Sequence, residues 1–182
     1  MASLLHSAYC DDSVSNEPEF KNVREIMKNR WLWVFNRNLW TDKGVYVSQD
    51  DKAVGRSKQL DINELEKKLK GGRELSVGGI RFSQDGKTRY APKGSYTSGD
   101  HTPERLSKDG FIIASCNQEG AEKLGEVSSK FKNNPYLYSL DISERQKPEL
   151  RVSAVYGYFV GFRFDGGGRG GCGRVHGFGV LK

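Results

Sequence analysis

Long hydrophobic segments are missing from this sequence of 182 residues. No run approaches the roughly eighteen consecutive apolar residues that a membrane-spanning helix requires. The N-terminal stretch MASLLHSAYCDDSVSNEPE lacks the basic segment and the long apolar core of a secretory signal peptide. We therefore expect a soluble protein with neither a membrane segment nor a signal peptide.

Cysteine is scarce, since its three residues lie far apart and form no C-x-x-C pair. This number and spacing argue against a disulfide framework and against a zinc site. The cysteines and histidines are scattered along the chain, at Cys10, Cys116, Cys172, His6, His101 and His176. We expect no metal centre, and a reducing compartment such as the cytoplasm.

A dense block of one charge is also absent. The chain carries 29 lysines and arginines against 23 acidic residues, a net charge of +6, and its basic stretches at residues 67–73 and 163–174 are short. This balance predicts a weak attraction to phosphates. What the chain does have is aromatic area, because 3 Trp, 8 Tyr and 9 Phe can supply a hydrophobic core.

The order of the predicted elements indicates an α+β fold, with a mixed or mostly antiparallel sheet and three or four short helices. Helical patterns cover residues 18–30, 61–70, 103–109 and 118–131, and strand patterns cover residues 31–35, 45–48, 74–82, 88–91, 111–114, 136–142 and 150–164. The last of these strand segments is predicted to turn at Gly157. We expect a flexible segment over residues 1–16. Residues 17–182 are predicted to form a single domain with a Gly/Arg-rich loop at 165–174.

The stretch GDHTPERLSKDGFIIAS combines a helix start, a helix stop and an apolar run. Thr102 and Pro103 fit the N-cap and the first position of a short helix, and Gly110 fits its end. The run FIIA, residues 111–114, is apolar without alternation and predicts a central strand. Residues 115–117 then fit the cap of a further helix.

This order of motifs resembles toxin-like mono-ADP-ribosyltransferases over roughly residues 89–155. The stretch GDHTPERLSKDGF resembles a short helix of that family, and GFIIASCNQEGAEKL resembles its apolar strand that closes on a serine. NPYLYSLDI resembles the aromatic strand that follows, and PELRVSA stands where the family carries its catalytic glutamate. The resemblance implies an NAD-binding cleft and an ADP-ribosyltransferase-like protein, active or degenerate, that modifies a macromolecular acceptor.

The resemblance also implies roles for four residues. Arg89 or His101 would bind the NAD dinucleotide, and Ser115 would order the site. Glu149 would hold the ribose and stabilise its cationic state as nicotinamide leaves. Without the resemblance, each residue has an ordinary explanation. Arg89 would be a solvated arginine and His101 a surface histidine at a helix start. Ser115 would be a helix cap and Glu149 an exposed acid.

A binding module without catalysis is the alternative function. The basic balance, the aromatic strands and the Gly/Arg-rich segment around Arg169 favour a single-stranded or backbone-presented nucleic acid as the partner. A protein partner that uses an exposed sheet edge is the third interpretation.

Overall fold

The computed structural model describes residues 1–49, 60–76, 78–143, 146–158, 161–168 and 175–176. Its helices are α1 (Ala2–Tyr9), α2 (Pro18–Asn29), α3 (Ile62–Leu69), α4 (Pro103–Ser107) and α5 (Gly110–Ser128). Its strands are β1 (Trp31–Trp40), β2 (Gly44–Gln49), β3 (Arg73–Glu74), β4 (Arg81–Phe82), β5 (Thr88–Pro92), β6 (Gly99–Asp100), β7 (Asn133–Tyr138), β8 (Glu149–Tyr158), β9 (Gly161–Gly168) and β10 (Val175–His176). The predicted α+β class is confirmed.

The strands form one sheet in the order β3-β4-β5-β2-β1-β8-β9-β7-β6, with β10 paired to β1. Strand β1 lies at its centre, antiparallel to both β2 and β8. Only the β7–β9 and β1–β10 pairs among the described strands are parallel. The mostly antiparallel sheet agrees with the sequence prediction.

The main core lies between one face of this sheet and helices α1, α2, α4 and α5. Trp40 of β1 is fully buried, with its ring centroid 4.8 Å from that of Phe111 on α5. Phe111 in turn meets Phe164 of β9 edge to face, with centroids 5.7 Å apart. These rings join the helical layer to the centre of the sheet.

A smaller cluster covers part of the opposite face. Helix α3 buries Leu65 and Leu69 against side chains of β1, β2 and β5. Glu66 connects α3 to the sheet. It accepts a hydrogen bond of 2.6 Å from Tyr46 and a bidentate pair of hydrogen bonds from Arg81 at 2.7 and 2.9 Å. Helix α3 therefore covers this face near β5, β2 and β1.

Two helix starts form as their sequence signals predict. The Asp61 carboxylate accepts from the backbone N–H of Glu64 at 3.0 Å and caps α3. The Thr102 hydroxyl accepts from the N–H of Arg105 at 3.2 Å, and Pro103 occupies the first turn of α4. These caps are local, which is why the sequence alone identifies them.

The strand predicted at residues 111–114 is wrong, because these residues form the first turn of α5. Asp109 caps this helix by accepting from the N–H groups of Phe111 and Ile112. Gly110 accordingly begins a helix rather than ending one. Asn117 (φ 63°) kinks α5, and its side chain accepts from the N–H of Gly120 at 2.8 Å, so the helix start predicted at 115–117 does exist within α5.

Three further segments differ from the sequence prediction. A flexible segment was expected over residues 1–16, but residues 2–9 form α1. The fully buried Leu5 anchors this helix in the core. Gly157 lies within β8 and is not a turn. Residues 165–168 of the predicted loop belong to β9, and residues 169–174 lie outside the described part of the chain. Among the described helices, none has the length and apolarity needed to cross a membrane.

Candidate functional site

The sheet has an inner face, which carries the main core, and an outer face on the opposite side. In β8, Val155 and Gly157 face the core, where Gly157 lies directly against Phe131. Tyr156 between them points to the outer face, because side chains alternate along a strand. Directly paired residues of neighbouring strands share a face. The strand register therefore defines which side chains meet on the outer face.

One row of side chains crosses the outer face over several strands. Arg163 of β9 pairs with Tyr156 of β8 on one side and with Tyr136 of β7 on the other. Tyr136 also pairs with Asp100 of β6. Trp31 of β1 completes the row, with its ring centroid 3.7 Å from that of Tyr156. We call these five residues the aromatic–arginine row.

Arg163 is the exposed centre of the row. Its guanidinium carbon lies 4.6 Å from the ring centroid of Tyr136 and 5.4 Å from that of Tyr156. Cation–π contacts on both sides hold the side chain in place before any ligand arrives. Burial raises the pKa of Tyr156, and Arg163 opposes this shift. The Tyr156 hydroxyl therefore keeps its proton near neutral pH.

A second row follows next to the first. Trp33, Ala154, Asp165 and Tyr138 are register partners across β1, β8, β9 and β7. Tyr138 is 41% exposed, the most exposed large hydrophobic side chain of the described residues, and its ring lies over Gly167. The Asp165 carboxylate accepts from the N–H of Gly167 at 2.7 Å. The outer face thus continues as an aromatic surface beyond Arg163.

A groove of about 650 Å³ adjoins the aromatic–arginine row. The end of α2 forms one wall, and the row itself forms another. Its polar lining includes Lys28, Asn29, Asn133 and Asn134, together with Asp100 and Arg163. The site therefore offers amide groups, cations and one carboxylate beside aromatic rings, a composition suited to recognition of a partly polar ligand.

The structure brings two of the four residues predicted as a site close together. Arg89 donates to the carbonyl of Ala114, the residue before Ser115, at 3.2 Å, and to the carbonyl of Gly86 at 2.7 Å. Ser115 is 4% exposed, and its carbonyl accepts from Asn36 at 2.7 Å. Both residues thus lie in the contact between α5 and the sheet.

Glu149 lies elsewhere, as the first residue of β8. It forms an ion pair with Arg151 and is the register partner of Trp40. Trp40 lies on β1, and the residue of β1 that contacts Ser115 is Asn36. A strand rises about 3.3 Å per residue, so Asn36 and Trp40 are about 13 Å apart along β1. Within the described residues, no hydrogen bond connects Glu149 to the segment of Ser115.

His101 is 3% exposed and belongs to a buried pair. Its Nε2 lies 3.5 Å from the Asp109 carboxylate, and its Nδ1 lies 3.0 Å from the carbonyl oxygen of Gly99. Two acceptors facing the two ring nitrogens favour the protonated ring. The hydrogen bond to Asp109 is the main cause that raises the pKa of His101, against the opposing effect of burial.

This pair predicts a dependence of stability on pH. A raised pKa in the folded state means that His101 contributes its full stabilisation below its ordinary pKa of 6.5 and loses it as pH rises through the raised value. We expect the free energy of unfolding to fall over that range. Urea denaturation at a series of pH values measures it, and His101→Gln should flatten this part of the profile; an equal slope in both proteins contradicts the assignment.

Comparisons with known proteins identify the fold. No protein-family model matches the chain, and no curated protein matches it. A solved structure described as accommodation of massive sequence variation in Nanoarchaeota by the C-type lectin fold does match, with a TM-score of 0.54 and 14% sequence identity. The match covers 92% of this chain and 80% of that chain. The chain therefore has the C-type lectin fold.

This finding overturns the resemblance to mono-ADP-ribosyltransferases. The fold is that of C-type lectins, and the apolar strand on which the resemblance depended is the first turn of α5. The prediction of an NAD-dependent transferase is wrong, and the expected NAD site at Arg89, His101, Ser115 and Glu149 loses its basis.

Sequence reasoning missed the aromatic–arginine row as a site. The alternation in YLYSLDI and in the segment around Tyr156 and Arg163 was a usable signal, because it places these side chains on one face of their strands. The missing information was the register, which joins β7, β8 and β9 although the three strands are separated in sequence.

Proposed function

We propose that this chain is a binding module without catalytic activity, and that it binds a protein partner through the aromatic–arginine row and the adjoining groove. The observation that carries the proposal is Arg163 held between Tyr136 and Tyr156, with Trp31 at the end of the row. Trp, Tyr and Arg are the residues most enriched at energetically dominant positions of protein interfaces. Their fixed geometry also reduces the entropy lost on binding.

The same geometry favours a protein over a nucleic acid. Single-stranded nucleic acids bind by stacking bases on open aromatic faces. Here Arg163 lies over the rings of Tyr136 and Tyr156 and occupies faces that bases would need. Asp100 lies in the groove and Asp165 in the second row, so carboxylates accompany the cations. Both carboxylates disfavour a phosphate backbone.

The fold supports a binding role as well. The structure from Nanoarchaeota is described as accommodating massive sequence variation by this fold. A frame that tolerates many side chains can carry a recognition surface set by those side chains rather than by its backbone. In this chain, the paired strands β7, β8 and β9 carry such a surface on their outer face, the aromatic–arginine row.

The partner is tested by capture from nuclease-treated lysate of the source cells on the immobilised full chain, followed by calorimetry with the purified partner. We expect Arg163→Ala to weaken this binding about thirtyfold, as truncation of a central residue worth about 2 kcal/mol would do. Arg105→Ala is the matched control, because Arg105 is exposed on α4 and lies outside the row and the groove. It should leave the affinity unchanged.

Two outcomes contradict the proposal. One is equal loss of binding in both variants, which would mean that net charge rather than the row determines affinity. The other is a partner captured from untreated lysate but not from nuclease-treated lysate. It would be accompanied by binding of labelled single-stranded DNA or RNA whose affinity falls on the order of a thousandfold between 50 and 200 mM salt. That result would assign the surface to a nucleic acid.

A further inference from the structure

A second cluster lies on the helical side of the molecule, away from the sheet. It consists of His6 and Cys10 on α1 and its C-cap, and of Glu126 on α5. The ligand atoms of the three side chains all lie within 4.8 Å of one another. His6 and Glu126 are 120 positions apart in sequence, and their closest atoms, Nε2 and Oε2, are 2.7 Å apart. No other such group of metal-binding side chains occurs among the described residues.

The helix geometry sets the spacing of the first two ligands. His6 and Cys10 are separated by four residues, so they project from the same side of α1. The backbone N–H of Cys10 donates to the carbonyl of His6 at 2.7 Å, which shows that the last helical turn is intact. The pair therefore reaches the surface of α5 as a fixed unit.

Packing between the two helices fixes the third ligand. Leu5 and Ala8 of α1 are buried in the main core together with Leu124 and Val127, which flank Glu126 on α5. The ring of Tyr9 meets that of Phe131 just beyond α5, with centroids 5.2 Å apart. The cluster thus rests on two elements whose relative position the core determines.

The donor set and spacing match a borderline divalent cation. Zn²⁺ takes thiolate, imidazole and carboxylate ligands at about 2.0–2.3 Å, which places the ligand atoms of a tetrahedron about 3.3–3.7 Å apart. The present atoms lie within rotamer adjustments of that arrangement. The Glu126 side chain is 62% exposed and the His6 side chain 28%, so solvent reaches the cluster and the Glu126 side chain has room to change rotamer.

We propose that His6, Cys10 and Glu126 bind a divalent cation of the zinc class through one nitrogen, one sulfur and one oxygen, with water as the fourth ligand. Bound there, the cation would join α1 to α5 and stabilise the N-terminal helix. A plain ion pair between His6 and Glu126, with Cys10 as a bystander, is the competing explanation.

Cobalt(II) distinguishes the two, because it replaces zinc and reports its ligands by absorption. We expect one equivalent of Co²⁺, added to the reduced full chain, to give the visible band of a tetrahedral site and a near-ultraviolet sulfur-to-cobalt band. Cys10→Ser should abolish the sulfur band. Cys116→Ser is the matched control and should retain it, since Cys116 donates to the carbonyl of Ile112 within α5 and lies outside the cluster.

Zinc should also stabilise the protein. At a free concentration one hundred times the Kd, the melting temperature should rise by about 5–10 °C. His6→Ala should lose most of this rise, and Glu126→Gln should weaken zinc binding at least tenfold. An absent sulfur band, a band that persists in Cys10→Ser, or an equal thermal shift in His6→Ala would each overturn the proposal. Circular dichroism of every variant confirms that it is folded.

Discussion

Replacing Asp109 by alanine is expected to reduce the free energy of unfolding by about 3–5 kcal/mol. Asp109 is 6% exposed and serves four partners. It accepts from the N–H groups of Phe111 and Ile112 at the start of α5, from the N–H of Thr97 at 3.0 Å, and it pairs with His101. Alanine would leave these donors unsatisfied and the buried imidazolium without its counter-charge. Urea denaturation at pH 6 measures the loss.

Asp61→Ala is the control for this prediction. Asp61 is also the N-cap of a helix, and its carboxylate accepts from the N–H of Glu64, but it is exposed. Losing an exposed cap costs about 1 kcal/mol. The difference between the two variants therefore measures what burial and the histidine pair add. Similar losses in both would show that Asp109 acts as a cap alone.

Gly166→Ala is expected to destabilise the protein by about 3 kcal/mol. Gly166 lies in β9 where the inner face meets the main core, and an added methyl group would collide with the rings of Phe111 and Trp40. Its carbonyl also accepts from the Trp40 indole at 2.9 Å and from Asn38 at 3.1 Å. The strand cannot retreat from the collision without stretching both bonds. Thermal and urea denaturation both report the effect.

Gly161→Ala provides the comparison on the same strand. An added methyl group at Gly161 would meet nothing closer than 3.8 Å, and the residue has no positive φ. We expect a change within about 1 kcal/mol, because alanine also reduces the entropy of the unfolded chain. If Gly166→Ala were tolerated as well as Gly161→Ala, the close packing around Gly166 would be wrong.

Local signals explain which parts of the fold could be predicted. Helix α2 occurs over Pro18–Asn29 as its apolar spacing predicted, and the caps at Asp61 and Thr102 form the expected hydrogen bonds. Each of these signals acts within a few residues. The strand prediction for residues 111–114 was wrong because a helix turn buried on all sides and a central strand both appear in sequence as a short apolar run. Asp109 decided between them as a cap, a role that its sequence position alone did not reveal.

Non-local register explains what could not be predicted at the site. The alternation of β7 and β8 was visible in sequence, but the pairing of Tyr136 and Tyr156 with Arg163 depends on strands that meet only in the folded sheet. The glycines at 166–168 appeared as part of a low-complexity loop. Gly166 in fact continues β9, because the absence of a side chain lets the backbone approach Phe111 and Trp40.

The central pairing of β1 with β8 has a consequence for how the chain acquires its structure during synthesis. The hydrogen bond from Asn38 of β1 to Ser153 of β8 spans 115 positions, so β1 leaves the ribosome long before β8 has been synthesised. Until then, one edge of a ten-residue aromatic strand is without its partner and open to pairing with other chains. Closure of such a distant pair is intrinsically slow. Premature termination before β8 would therefore release an aggregation-prone fragment rather than a smaller folded protein.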